Sequence, residues 1–402
     1  MAKLDKAQAA DVDVHDPRSF RPSYFVGREV IDLICEVQTR VVEQNVLYAG
    51  SSFPSLREIE RDVIDFSLDL LNAPSGAIGT VTIGGSESNF MALKTARDAA
   101  RAKGRVAEPF DVVLAHTAHP SLEKAAHMLG MRTRRATSSI DFQADVSQMA
   151  SLIGPQTIMI VGSAPPAAYA TVDPIPEIGA LAEKHDLWFH VDCCMGGFFV
   201  PFAEALGQAV PTFDFRVPSV RSMSADLHKF GYAPKGVSVL LLREAALFEH
   251  QDYRFEDWPF GHYATSGVAG SRPAGPLVAA WAVMQKLGRQ GYLDIARRVI
   301  ALRQRLEHGI AAIPGLKVIG RPAAAHLFLA SDEIDVFAVD EMLEAKGYST
   351  ARAWHPDSVQ LWVSLNHDEA AIDALLTDLS QAADAAHRDA LRARNREAVY
   401  SR

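Results

Sequence analysis

A few side chains in this 402-residue sequence have the types and spacing to do chemistry together. Lys229 follows directly on His228 and precedes a Gly- and Pro-containing turn, Phe230-Gly-Tyr-Ala-Pro-Lys235-Gly236, which feeds the apolar run 237–242. A lysine held between a strand end and such a turn suits an amine that must form a Schiff base, because the turn fixes the stem and nearby polar groups lower the amine pKa. It also suits a solvated loop lysine, and the segment alone does not separate the two. Asp192 ends the apolar run Leu187-Trp-Phe-His-Val191, where an unpaired carboxylate is costly to desolvate. A cationic partner removes that cost; a turn or helix cap is the plainer alternative. Gly84-Gly85-Ser86 opens a helical run through Lys103, so its free N–H groups and positive dipole end form either an anion site or an ordinary cap. His119, in Ala115-His-Thr-Ala-His-Pro120, is a loop histidine or a flat partner for a ring.

Taken together, these parts match what pyridoxal 5'-phosphate (PLP) requires of a protein. Lys229 would carry the cofactor, Asp192 would keep its ring nitrogen protonated, and His119 would lie against the ring. Gly85 and Ser86, with His228, would hold the phosphate. The sequence has neither G-x-G-x-x-G nor G-x-x-x-x-G-K-[ST], so dinucleotide and P-loop readings lack support.

The elements that must position these residues follow from the hydrophobic pattern. Helical periodicity runs from Gly27 to about Asn45 and from Leu56 to about Leu71, the second with Ser55 as its expected N-cap. Short apolar strands are expected at 111–115, 157–161 and 187–191, with helices at 121–129 and 175–185 between them. That alternation predicts an α/β fold with a mostly parallel sheet covered on both faces. His116, Ser163, Asp192 and the 224–229 loop each lie just past a strand, so the candidates converge on the carboxyl edge, where such sheets bind ligands. Helices at about 275–287 and 293–313 lead to a smaller α+β domain. It has strands near 316–319, 325–329 and 359–363 and helices at 334–345 and 369–392. The expected division is an N-terminal arm and helix (1–55), a large PLP-binding domain (56–272), and linker helices with a small C-terminal domain (273–402).

A net charge of −9 with no dominant basic block argues against nucleic acid as a partner. Cys35, Cys193 and Cys194 have neither a disulfide framework nor metal-ligand spacing, so no metal is expected and a reducing compartment is the simplest setting. No apolar run approaches the ~20 residues of a membrane span, and the polar N-terminus does not resemble a signal peptide. A soluble, cytoplasmic protein is expected.

Four ordered stretches carry a family resemblance: Gly79-Thr-Val-Thr-Ile-Gly-Gly-Ser-Glu-Ser88, His190-Val-Asp-Cys-Cys-Met-Gly-Gly-Phe198, Ser224-Ala-Asp-Leu-His-Lys-Phe-Gly-Tyr-Ala-Pro-Lys-Gly236 and Ala269-Gly-Ser-Arg-Pro273. They resemble the sphingosine-1-phosphate lyases within the group II PLP-dependent decarboxylases, which share the aspartate aminotransferase (type I) fold. The resemblance runs from about Phe53 to beyond Trp281. It implies a homodimer with active sites at the subunit interface, where Gly270 and Ser271 reach the partner's cofactor phosphate. It further implies PLP bound by Lys229, Asp192, His119, Gly85, Ser86 and His228, with Ser163 beside them. Tyr169 and Lys235 fall where the lyases carry further catalytic groups, Lys235 near the substrate phosphate. The implied activity is cleavage of a phosphorylated 3-hydroxy amine, with amino-acid decarboxylation as the alternative. The stretch Val46-Leu-Tyr-Ala-Gly50 lacks the histidine found there in the lyases, and Pro165-Pro-Ala-Ala-Tyr-Ala170 replaces their Pro-Gln-Phe-Pro-His-Gly turn. Arg272 either grips an anion or pins its loop.

Overall fold

A computed structural model describes residues 2–9 and 11–399. The chain forms two compact units, Gly27–Ala296 and Met1–Val26 with Arg297–Arg402. This division falls elsewhere than the three expected segments, for reasons in the hydrogen bonding. Residues 27–55 belong to the larger unit, since Val46 N–H donates to the Arg272 carbonyl and Ala274 N–H to the Gln44 carbonyl. So does the chain after Arg272, whose Tyr292 hydroxyl donates to the Gly231 carbonyl. The N-terminal arm belongs to the smaller unit, since Phe20 N–H donates to the Ser349 carbonyl and Trp362 N–H to the Phe20 carbonyl.

In chain order the elements begin with α1 (Ala2–Gln8), α2 (Arg28–Arg40), α3 (Pro54–Leu70), β1 (Ile78–Thr82), α4 (Gly85–Ala102), β2 (Asp111–Ala115), α5 (Pro120–Met128) and β3 (Arg132–Ala136). They continue with α6 (Val146–Ser151), β4 (Thr157–Ser163), α7 (Ile175–Lys184), β5 (Trp188–Asp192), α8 (Val200–Ala205), β6 (Val220–Ala225), β7 (Ser238–Leu242) and the hairpin β8 (Tyr253–Phe255) and β9 (Tyr263–Thr265). Helix α9 (Gly275–Ala311) is broken at Gly288, where φ is 55°, close to the expected gap between two helices. Helix α3 starts one residue before the expected cap: Pro54 occupies its first turn and Phe53 the cap position, so Ser55 lies inside the helix.

The seven-stranded sheet has the order β1-β7-β6-β5-β4-β2-β3. Strands β3, β2, β4, β5 and β6 are parallel, and β7 is antiparallel to both β6 and β1. Two reversals leave β1 running in the direction of β6, so Thr82 ends at the same edge as Ala115, Ser163, Asp192 and Ala225. Strands β2, β4 and β5 are buried at every position, which is why they read as continuous apolar runs. Helix α4 lays the small residues Ala92, Ala96, Ala99 and Ala100, with Leu93, into a core shared with Val112, Leu122, Ile158 and Met159. Small side chains let the helix pack close, so its first turn is fixed against the sheet edge.

The smaller unit carries β10 (Lys317–Ile319), β11 (His326–Ala330), α10 (Val336–Ala345), β12 (Ala351–Ala353), β13 (Ser358–Trp362) and α11 (Glu369–Arg388). Its antiparallel sheet has the order β10-β11-β13-β12. Among the described residues no helix is long and apolar enough to cross a membrane.

Candidate active site

The turn between β1 and α4 is built so that backbone lines it. Gly84 has φ 152°, and a Cβ there would lie 3.3 Å from His228 Cε1. A Cβ on Gly85 would lie 2.6 Å from Cys194 Sγ and 2.8 Å from Asp226 Oδ1, so the position admits only glycine. No side chain caps α4 at Gly84. The first N–H groups, those of Gly85 and Ser86, have no carbonyl within the helix and are suited to an anion.

Lys229 lies in the turn after β6, largely buried, with Nζ 2.9 Å from Asp226 Oδ2. The Ser238 hydroxyl donates to Asp226 Oδ1 at 2.6 Å, and His228 Nε2 stands 3.5 Å from Oδ2. Burial pushes His228 below its ordinary pKa, against the pull of Asp226. Lys235 folds back over this turn, its Nζ donating to the His228 carbonyl at 2.8 Å. The residue as a whole is exposed, but desolvation of the amine, with the Lys229 charge, brings the pKa down to about 8.

One strand over, Asp192 accepts from Cys194 N–H at 3.0 Å, Asn89 Nδ2 at 3.0 Å and Ser224 Oγ at 3.2 Å. Burial works to raise this carboxyl, but the Cys194 thiol, the His119 ring and the Cys194 N–H outweigh it and hold it below the ordinary range. His119 caps α5: its Nδ1 accepts from Ser121 N–H at 3.1 Å and lies 2.8 Å from Ser121 Oγ. Burial, against the attraction of Asp192, pushes the ring below its usual pKa and keeps it neutral. Cys193 and Cys194 are buried, and burial raises both thiols, so neither is a nucleophile.

The structure thus gathers Lys229, His228, Lys235, Gly85, Ser86, Asp192 and His119 along one edge. Ser163 pairs with Asp192 across β4 and β5, its N–H taken by Asp173 at 2.8 Å. Tyr169 sits in the loop after β4 at φ 63°, its ring stacked on Phe142 with centroids 4.1 Å apart, and burial pushes its phenol up to about 12. Gly270 and Ser271 are held by their own chain: the Ser271 hydroxyl accepts from Asn45 Nδ2 at 3.0 Å. Arg272 pins the loop, donating to the Val81 carbonyl at 2.9 Å.

Three residues that sequence reasoning left out belong here. Asp226 holds the lysine, and its i,i+3 spacing from Lys229 was the available signal. Glu87, in the first turn of α4, accepts from Ile83 N–H at 2.7 Å through one oxygen and from Val268 and Ala269 N–H at 2.7 and 3.1 Å through the other. It ties the glycine turn before α4 to the 266–272 loop. Asn89 had no sequence signal, because a helical asparagine reads as a polar position like any other.

Buried polar atoms test whether a ligand belongs at this edge. Thr117 Oγ1, Ser163 Oγ and His228 Nδ1 are buried without a partner among the described residues; Ser163 ends β4, Thr117 and His228 lie just past β2 and β6, and each is beside the histidine, the carboxylate or the lysine. Such atoms cost free energy until something polar meets them. A cofactor with a phosphate, a ring nitrogen and a carbonyl fits the donors and acceptors present. Among the described residues no cluster of three or more His, Cys, Asp or Glu side chains is placed to hold a metal.

A mostly parallel sheet with a lysine past one strand and a carboxylate past its neighbour is the architecture of PLP-dependent enzymes of the aspartate aminotransferase type. A model of the pyridoxal-dependent decarboxylase conserved domain matches residues 10–324, and the chain belongs to this family. It is 37% identical over 337 residues to the sphingosine-1-phosphate lyase of Oryza sativa subsp. japonica, a match covering 83% of this chain and 62% of that protein's length. The solved sphingosine-1-phosphate lyase of Burkholderia pseudomallei superposes with a TM-score of 0.91 at 32% identity, covering 97% of this chain and 91% of that one. A probable L-tyrosine/L-aspartate decarboxylase of Methanothermobacter thermautotrophicus is 30% identical over 327 residues, 81% of this chain and 88% of the relative.

Proposed function

We propose that this chain is a PLP-dependent carbon–carbon lyase. It cleaves a phosphorylated 3-hydroxy amine such as sphingosine 1-phosphate to a long-chain aldehyde and phosphoethanolamine. The observation that carries the reading is Lys235, a second amine folded over the Lys229 turn and placed to meet an anionic substrate group. The likeness to the Burkholderia lyase over nearly the whole of both chains supports it.

Lys229 would bear the cofactor, Asp192 would pair with its ring nitrogen, His119 would face its ring, and Gly85, Ser86 and His228 would take its phosphate. Gly270 and Ser271 would reach the phosphate of a second copy in a homodimer. Bound there, PLP supplies an electron sink for the bond broken next to the amine-bearing carbon. The chain's own residues do the rest. Asp192, held low, stays anionic and keeps a cation opposite it. Asp226 takes the charge of Lys229 until the amine is engaged. Cleavage of the Cα–Cβ bond requires the 3-hydroxyl to lose its proton as the carbonyl of the aldehyde forms, and Cα then to gain one. Tyr169, with its phenol at about 12, is protonated at neutral pH and suited to give a proton, not to take one. Lys235, at about 8, is mostly a cation at neutral pH and suited to a substrate phosphate, with a neutral fraction able to accept the hydroxyl proton.

Amino-acid decarboxylation is the second reading. It is favoured by Val46–Gly50, which lacks the histidine of the lyases. Mass spectrometry of the PLP-loaded protein with sphingosine 1-phosphate decides between them. Phosphoethanolamine and a long-chain aldehyde are expected. Their absence, with carbon dioxide released from an amino acid, would transfer the protein to the decarboxylases.

A further inference from the structure

We propose that Asn89 is a positioning residue that sets the Asp192 carboxylate and the His119 ring as one unit, at the end of a one-way chain of hydrogen bonds that starts at Trp188. The chain starts at a group that can only donate and ends at one that can only accept. The indole N–H of Trp188 can only donate, and it gives to Ser222 Oγ at 2.8 Å. The Ser222 hydroxyl proton is then free to go to His190 Nδ1, also 2.8 Å away. The Asp192 carboxylate takes the Asn89 amide nitrogen and so turns the Asn89 oxygen toward His190 Nε2, 3.3 Å away, which assigns the His190 proton to Nε2. The amide nitrogen of Asn89 has two hydrogens. One goes to Asp192 Oδ2 at 3.0 Å and the other to Ser121 Oγ at 3.0 Å. Ser121 passes its own proton to His119 Nδ1 at 2.8 Å, the atom that also receives Ser121 N–H.

The Asp192 end fixes how the Asn89 amide is turned, and the assigned His190 tautomer fits it. An ionised carboxylate only accepts, so the nitrogen must face Asp192 and the oxygen His190. Trp188, His190, Asn89, Ser222 and Ser121 are all buried, so turning the Asn89 amide over would set its oxygen against the Asp192 carboxylate out of reach of water. The result is a neutral His119 with Nδ1 committed to the first turn of α5 and its proton on Nε2, held relative to Asp192 by one side chain.

The chain of hydrogen bonds stands on the protein alone. Only its purpose, to set two groups for a cofactor ring, rests on the proposed PLP site. The two parts are tested separately. In full-length protein with 15N-labelled histidines, with His119 and His190 assigned by single substitutions, nitrogen shifts are expected to show Nε2 protonated and Nδ1 bare in both rings from pH 6 to 8. A proton on Nδ1 of either ring overturns the chain. PLP affinity is then measured by fluorescence for Asn89→Asp and Asn89→Leu. Asn89→Asp keeps the size but replaces the two donors with a carboxylate set against Asp192. Loss of hydrogen bonds to a charged group predicts about a ten- to hundredfold weaker Kd for both. If Asn89 merely fills space, Asn89→Asp binds within about twofold of the parent and Asn89→Leu alone is impaired, which overturns the positioning role. Should Asn89→Leu not fold, Asn89→Asp and the shifts of the parent still decide. If the parent protein itself takes up no PLP, the cofactor reading and the purpose fall together, while the shifts still judge the chain of bonds.

Discussion

Asp192 and Asp226 are both buried carboxylates past the ends of adjacent strands, yet they are satisfied in opposite ways. Asp192 is surrounded by neutral donors, from Cys194, Asn89 and Ser224, with no lysine or arginine bonded to it. Asp226 has one hydroxyl and a protein cation, Lys229, at 2.9 Å. Neutral donors stabilise an anion without cancelling its charge, so Asp192 keeps its attraction for a cation brought from outside. A salt bridge cancels the charge, so Asp226 is content until the lysine is used for something else. The first half of the site is prepared for the ligand. The second half is closed on itself and must be opened by it. The buried pair of Arg352 with Asp340 in the smaller unit, at 2.5 Å, marks the limit of this second pattern. There the guanidinium also donates to the Asn395 carbonyl and only holds the fold.

The largest effect should come from removing the group that opens the closed half. Lys229→Ala is expected to abolish the visible absorption band of the PLP-treated protein and all turnover; a retained band would refute the central assignment. Next come the two carboxylates, read by how far PLP raises the melting temperature. Asp226→Asn removes the carboxylate that takes the Lys229 charge in the cofactor-free protein, a cost of up to about 3 kcal/mol that disappears once the amine is engaged. The PLP-induced gain should therefore grow. Asp192→Asn removes the charge kept for the ligand, so the gain should shrink. The same sign in both variants would erase the distinction.

Lys235 bears on the closed half through pH. Its amine is held below its ordinary range, at about 8, so its cation is present below that pH and lost above it. The KM for a phosphorylated substrate should rise as pH passes about 8, and Lys235→Gln should raise KM at pH 7 about tenfold and flatten the profile. A KM indifferent to both would remove Lys235 from substrate binding. The smallest effect is expected at Ser163, whose hydroxyl is buried without a protein partner. Ser163→Ala should leave the cofactor-free protein as stable or up to about 1 kcal/mol more stable, while weakening PLP binding a few-fold. Weaker stability without PLP would show that the hydroxyl serves the protein and not the ligand.

Much of this site could be read before the structure was seen, and what was legible shared one property. Lys229 with its turn, Asp192 at the end of an apolar run, and Gly84-Gly85 before a helix are local patterns, whose meaning lies within a few residues. The alternation of strands and helices likewise placed their ends on one edge. Strand β3 has no sequence signal, because Arg132-Thr-Arg-Arg-Ala136 is half exposed and charged; the strand expected before the 224–229 loop has no bounds in the sequence, because Val220-Arg-Ser-Met-Ser-Ala225 has no continuous apolar run, and it runs on to Ala225. The pairing of β1 with β7, which brings the glycine turn to the site, joins residues about 160 positions apart and has no local signal.

The sequence by itself determined which chemical groups the protein owns and the order in which strands present them, because those depend on side-chain type, hydrophobic period and turn chemistry along a short stretch of chain. Only the tertiary structure decided which groups would share a proton or a charge. Asn89 reaches Asp192 across 103 residues and Ser121 across 32, and Glu87 reaches Val268 across 181. A hydrogen bond depends on ångström distances and on the donor or acceptor character of the atoms that meet. Those are set when helix α4 packs against the sheet, and nothing in the spacing of the residues along the chain encodes them.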